Sequence, residues 1–185
     1  MMQILAISGS LRAASTNTTL LKAAAALAPK DITLNIYDGL GDLPHFNPDL
    51  DTDPPSAAVG EFRFHLRKSA GVIISSPEYA HGVPGVLKNA LDWLVASGEL
   101  YEKPVAVFSA SPRANYAQAS LLETLTVMSA RVVSEACVVL PLLGRNLDEN
   151  GIVSDPNCSR TIRVALAAFS LAADNRERNE TAKLS

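Results

Sequence analysis

Apolar and polar residues change period along this chain in a way that separates strands from helices. Residues 3–8, QILAIS, form an unbroken apolar run closed by a glycine, the mark of a strand buried on both faces. Residues 17–28, NTTLLKAAAALA, then carry alanine and leucine at helical density. ITLNIY (32–37) alternates as a strand does, and a polar, proline-rich loop from Asp38 to Pro55 leads into AAVGEFRFHLRKS (57–69), whose apolar spacing is helical. The strand GVIISS (71–76) precedes a helix GVLKNALDWLVASG (85–98), with Gly98 placed as its stop. PVAVFSA (104–110) predicts a fourth strand, followed by a helix from about Tyr116 to Ala130. ACVVL (136–140) predicts a fifth strand, a loop follows to about Cys158, and SRTIRVALAAFSLAA (159–173) predicts the last helix. The polar stretch from Asp174 onward is expected to fray, which sets one domain at 1–174 and a C-terminal tail at 175–185.

Strands alternating with helices, most strands apolar throughout, indicate an α/β fold with a parallel sheet covered on both faces. The commonest open five-stranded arrangement is the flavodoxin-like order 2-1-3-4-5, doubly wound, whose ligand crevice opens at the carboxyl ends of strands 1 and 3. Chemistry is therefore expected in the loops that follow those two strands.

Composition narrows the function. With 185 residues the chain suits a single core, and 48% apolar against 19% charged residues leaves apolar surface to spare, as an oligomer would have. A net charge of -3 offers no cationic field for nucleic acid or an anionic membrane, so a small-molecule ligand is expected. The first residues, MMQILAISGS, lack the basic start of a signal peptide, no apolar run approaches the roughly 20 residues of a membrane helix, and a cytoplasmic protein is expected. Cys137 and Cys158 are far apart and form no CxxC, which suits reduced structural cysteines.

The loop after the first strand reads SGSLRAASTNTT, residues 8–19. It is neither GxGxxG nor the lysine-bearing phosphate loop. It does place Gly9 for a tight turn, hydroxyls at Ser10, Ser15, Thr16 and Thr18, the amide of Asn17 and the cation of Arg12 at a helix start, where free N–H groups and the dipole favour anions. Such a set suits one terminal phosphate. Ser, Thr and Asn are also ordinary helix caps, and a cap alone needs one of them.

In the turn SSPEYAHGVPG, Pro77 sets the exit from the sheet, after which the amides of Glu78, Tyr79 and Ala80 are expected to point into the crevice. Gly82 and Gly85 permit close approach, Pro84 stiffens the helix entry, and a planar heterocycle with acceptors on its edge would match the row of donors. The alternative is plain punctuation between strand and helix. Trp93 and Leu94 read as core or subunit contacts, and His45, His65 and His81 are isolated, so no metal site is expected. No GxSxG elbow supports a serine hydrolase. In SASPRANYAQA, residues 109–119, Ser109 and Ser111 could bond a ligand and Arg113 could meet a second anion, or the segment is an ordinary helix entry.

GSLRAASTN and SPEYAHGVPGVLKNALDW, in this order, resemble the NAD(P)H-dependent FMN reductases of the flavodoxin-like fold, a group with quinone, chromate and azo reductases. The resemblance implies that Ser10, Arg12, Ser15, Asn17 and Thr18 hold the FMN phosphate, that Pro77, Glu78, Tyr79 and Gly82 wrap the flavin ring chiefly through backbone atoms, and that Ser111 joins them. It also implies NAD(P)H as co-substrate, a quinone, azo compound, metal oxyanion or flavin as acceptor, no catalytic side chain and a homodimer or homotetramer. Many relatives carry a glycine pair in the fourth loop where this chain has SPRANYA, with the bulkier Asn115 and Tyr116. Two other readings remain: an FMN electron carrier of the flavodoxin type, and a non-flavin module whose first loop holds another phosphorylated ligand.

Overall fold

The structure is a computed structural model that describes residues 1–184; Ser185 and the side chains at 177 and 179–184 lie outside the described residues. Strands β1 (Met2–Ser8), β2 (Ile32–Tyr37), β3 (Gly71–Ser75) and β4 (Pro104–Ser109) form a parallel sheet in the order β2-β1-β3-β4. A short strand that the pattern did not predict, β5 (Arg131–Val132), lies beside Pro104 and Val105, and the expected fifth strand, 136–140, is shortened to β6 (Val138–Val139), beside Phe108 and Ser109. A short 3-10 turn at Ser134–Ala136 separates the two. The Val107 amide faces this break and donates instead to the Cys137 sulfur at 3.3 Å. With β5 and β6 sharing the edge, the order is the flavodoxin-like 2-1-3-4-5.

Period-two alternation along the strands supplies two cores. Ile4, Ala6, Ile73, Ala106 and Phe108 face α1 (Thr16–Leu27), α5 (Glu149–Ser154) and α6 (Pro156–Leu184). Leu5, Ile7, Val72, Ile74, Val105 and Val107 face α2 (Ala57–Lys68), α3 (Gly85–Asp92) and α4 (Asn115–Val127). The sheet is thus buried on both sides, as unbroken apolar strands require.

Three helices differ from the sequence pattern. The third ends at Asp92 and passes through turns to Gly98, whose φ of 74° closes the segment. The short α5 lies in what reads as loop, started by Asp148, whose side chain accepts the Gly151 amide at 2.7 Å. The last helix runs through the polar residues after Asp174 to Leu184. Trp93 belongs to the core: it is 1% exposed, its ring donates to the Pro44 carbonyl, and its own carbonyl accepts the guanidinium of the buried Arg63. Among the described residues no helix is long and apolar enough to cross a membrane.

Candidate functional site

The loops after β1, β3 and β4 converge at the carboxyl edge of the sheet on an open cavity of about 330 Å³. Ser10, Arg12, Ser15, Thr16 and Asn17 line one side, Ser76, Pro77, Glu78 and Tyr79 the centre, and Ala110, Ser111, Arg113, Ala114 and Leu143 the other. Parallel strands place consecutive loops side by side, so residues far apart in sequence share one wall.

The first loop folds on its own hydroxyls. Ser8 Oγ donates to the Ser10 carbonyl and accepts the Ser10 amide, both at 3.4 Å, and the Arg12 amide donates to Ser10 Oγ. Ser15 caps α1 by accepting the Thr18 amide, which leaves the amides of Thr16 and Asn17 without an acceptor among the described residues. Asn17 is buried and lines the cavity, and its side-chain oxygen accepts the Ser75 hydroxyl at 3.0 Å, which leaves its NH2 group without an acceptor among the described residues. Thr18 turns the other way: its hydroxyl pairs with Ser8 Oγ at 2.8 Å behind the loop and does not line the cavity. Gly9 is a true close approach, because a Cβ there would lie 2.6 Å from Ser76 Oγ and 3.1 Å from Leu87 Cδ2.

The turn after β3 is a tight hairpin. Tyr79 and Gly82 exchange both backbone hydrogen bonds, at 3.1 and 2.9 Å, while Ala80 and His81 take positive φ of 48° and 60°. Two successive positive φ values make the mirror-image turn that asparagine and glycine favour, here built from alanine and histidine. The Tyr79 amide is therefore spent within the turn; those of Glu78 and Ala80 have no acceptor among the described residues. Gly82 is not among the residues that line the cavity, and a Cβ there would have an ordinary 3.5 Å clearance from the Tyr79 carbonyl; the tight approach within the protein is at Gly9.

Two contacts pin this turn to α4. Glu78 Oε2 accepts the Ala117 amide at 2.9 Å, capping a helix whose own cap residue, Ala114, has no acceptor. The His81 and Tyr116 rings stack at 4.2 Å with a 15° tilt. Asn115 and Tyr116 thus stand at the rim and not inside the cavity.

Ser10, Arg12, Ser15, Asn17, Pro77, Glu78, Tyr79 and Ser111 are brought together on one cavity; Thr18 and Gly82 do not line it, Thr18 pairing with Ser8 and Gly82 with Tyr79. Leu143, from the segment after β6, is not among the residues the sequence singles out; it is exposed and precedes Gly144, whose φ is 80°. The described residues hold no group of three His, Cys, Asp or Glu side chains suited to a metal. Burial pushes the Cys137 and Cys158 thiols up, which keeps both protonated near neutral pH.

The cavity's hydroxyl, amide and guanidinium donors lie where the carboxyl ends of β1, β3 and β4 meet, the ligand crevice of a flavodoxin-like sheet. Residues 2–142 match the family model described as NADPH-dependent FMN reductase, and the chain belongs to that family. It is 30% identical over 177 residues to an NAD(P)H-dependent FMN reductase of Pseudomonas aeruginosa, covering 91% of this chain and 94% of that one. It is 40% identical over 111 residues to a quinone reductase of Pseudomonas putida, a match that spans 57% of this chain and 58% of that relative. The solved structure of FerB, a flavoenzyme NAD(P)H:(acceptor) oxidoreductase from Paracoccus denitrificans, superposes with a TM-score of 0.83 at 28% identity, over 95% of this chain and 98% of that one.

Proposed function

We propose that this protein is an FMN-dependent oxidoreductase that draws reducing equivalents from NAD(P)H and delivers them to a quinone or flavin acceptor. The observation that carries the reading is the set of unspent donors at the β1 edge: the Thr16 and Asn17 amides, the Asn17 NH2 group and the Arg12 guanidinium. These fit a terminal phosphate monoester, with the positive end of α1 behind them. Ser10 and Ser15 complete that cradle, and Thr18 braces it through Ser8.

Bound here, FMN would supply a two-electron carrier that accepts hydride from the nicotinamide and passes electrons to a second substrate. The chain's own residues bind and orient. Pro77 directs the turn away from the sheet, the amides of Glu78 and Ala80 offer donors to the edge of a planar ring, and Tyr79, half exposed, offers an aromatic face. Glu78 accepts the Ala117 amide and so acts as a brace, not as a proton carrier. Ser111, on the loop after β4, lines the opposite side of the cavity, and its hydroxyl oxygen accepts the Arg113 amide.

We also infer a cytoplasmic homodimer or homotetramer; exposed Val95, Tyr101 and Val127 supply apolar surface for such contacts.

The test is an anaerobic absorbance titration of the purified protein, supplied with FMN and then with NADPH or NADH. Bleaching of the bound-flavin band, restored by menadione, is the expected result. A flavin that binds but stays oxidised would mark an electron carrier, and absence of FMN binding would refute the reading.

A further inference from the structure

Two segments at the same edge of the sheet repeat one another. SGSLR, residues 8–12, leaves β1, and SASPR, residues 109–113, leaves β4. Each folds into the same ladder of hydrogen bonds. In the first, Ser8 Oγ donates to the Ser10 carbonyl and accepts the Ser10 amide, and Ser10 Oγ accepts the Arg12 amide at 3.4 Å. In the second, Ser109 Oγ donates to the Ser111 carbonyl at 2.8 Å and accepts the Ser111 amide at 3.3 Å, and Ser111 Oγ accepts the Arg113 amide at 3.1 Å. Both ladders end on an arginine that lines the cavity.

Neither guanidinium has a partner among the described residues. Arg12 and Arg113 are absent from the ion pairs of the described residues, and the one acidic side chain in the cavity wall, Glu78, is engaged with the Ala117 amide. The two loops also stand on opposite sides of the cavity. β3 lies between β1 and β4, so the ladders start about two strand spacings apart, roughly 10 Å. A phosphate seated on the α1 amides would lie on Arg12's own loop, whereas Arg113 belongs to the loop across the turn after β3.

We propose that Arg113 is a second anion subsite in this cleft, which takes an anionic oxygen group on the donor or the acceptor while Tyr79 and Leu143 lie against the ligand's planar part. The inference rests on the function proposed above. The copy is incomplete in an informative way. Behind Arg12 stand free helix amides, but the corresponding first turn of α4 is already capped by Glu78. Arg113 therefore offers a charge and a fork of donors without a cradle, a weaker contact suited to a ligand that enters and leaves in each cycle. The shared chemistry has two sources: a phosphate of the nicotinamide nucleotide, or an acidic group on the acceptor.

Arg113→Ala and Arg113→Lys, both loaded with FMN, are titrated at equilibrium with adenosine 2',5'-bisphosphate and with 1,2-naphthoquinone-4-sulfonate, following flavin fluorescence. Loss of a charge-assisted contact should weaken one probe by about 10- to 100-fold in the alanine variant, with partial recovery in the lysine variant and FMN affinity retained. A loss confined to the bisphosphate assigns the subsite to the hydride donor; a loss confined to the sulfonate assigns it to the acceptor. Steady-state kcat/KM for each substrate, against menadione as the uncharged acceptor, should show the same selectivity and appear in KM more than in kcat. Unchanged affinity for both probes, or an equal loss for menadione and the anionic ligands, overturns the subsite while the FMN reading stands. A wild-type protein that binds no FMN overturns both.

Discussion

Glu78 Oε2 accepts the backbone amide of Ala117 at 2.9 Å, and this one hydrogen bond ties the turn after β3 to the first turn of α4. Ala117 is the third residue of that helix, the position an N-cap side chain normally serves, and the local cap residue is an alanine. Glu78 is thus a cap supplied from 39 residues away, from the middle of the three loops that line the cavity. Glu78→Ala is expected to cost about 0.5–2 kcal/mol in urea unfolding, the range for a lost helix cap, and to weaken FMN binding as the turn loosens. Glu78→Gln, which retains an acceptor oxygen, should recover most of both. Equal behaviour of the two variants would show that the cap is not what holds the loop.

Gly9 is where the first and third loops touch. A Cβ there would sit 2.6 Å from Ser76 Oγ and 3.0 Å from Ser76 Cβ, so the two loops must part to admit it. Gly9→Ala should cost about 1–3 kcal/mol, as overpacking does, and should depress FMN affinity beyond what the stability loss accounts for. The comparison is chemical denaturation beside a fluorescence titration with FMN, and an alanine that leaves both unchanged would place the close approach elsewhere.

The strained turn at 79–82 invites the opposite experiment. Ala80 holds a φ of 48°, a left-handed conformation costing an L residue about 1–2 kcal/mol, while Gly82 has ordinary backbone and room for a Cβ. Ala80→Gly is expected to raise stability by about 0.5–1 kcal/mol, and Gly82→Ala to change it little. The thermal midpoints of the two variants check this directly, and a destabilised Ala80→Gly would mean that the turn's conformation carries no strain.

These residues show which parts of the molecule were legible in the sequence. The runs ILAIS, GVIIS and PVAVFS declare buried parallel strands because both of their faces are apolar, and the strand order then places the crevice. The edge was harder. ACVVL is apolar enough for one strand, but only Val138 and Val139 pair; the 3-10 turn at Ser134–Ala136 sets them off from the unpredicted pair at Arg131–Val132, and the Cys137 sulfur fills the gap in a way no periodicity reveals. In the site, Ser15 and Asn17 follow from helix-start chemistry, whereas the inward turn of Thr18 depends on Ser8 across the loop. Glu78 was legible as a site residue but not as a cap, since Ala117 is reached only through the packing of α4. The matching ladders at 8–12 and 109–113 were open to view as SxSxR, yet five residues are too short a repeat to stand out before the sheet sets them side by side.

Asp155 gives a pH test that is independent of the cleft. Its carboxylate accepts the Cys158 and Asn157 amides at the start of α6 and pairs with Arg145 at 2.6 Å; the Cys158 amide first, then Arg145, hold its carboxyl well below the ordinary 3.8. A folded pKa lower than the unfolded one adds stability above the unfolded value, and that stability is lost as pH falls toward the folded value. Asp155→Asn should therefore be less stable than wild type at about pH 7, with the gap narrowing below about pH 4 as the unfolded chain takes up its proton first. Urea titrations of both proteins across that interval provide the check, and a gap independent of pH would assign the cap to neutral hydrogen bonding alone.

Arg12 and Arg113 lie on matching ladders but should fail differently. Arg12 stands beside the free amides of Thr16 and Asn17, where a phosphate dianion would be held by several donors at once, so its loss removes one contact among many. Arg12→Ala is expected to weaken FMN binding by about 1.5–3 kcal/mol, the scale of a hydrogen bond to a charged group, and to reduce the salt dependence of binding. Riboflavin, which lacks the phosphate, should bind wild type and Arg12→Ala alike. Parallel titrations of FMN and riboflavin decide the matter: if the variant loses affinity for both, Arg12 shapes the loop, and if it loses affinity for neither, the phosphate is held elsewhere.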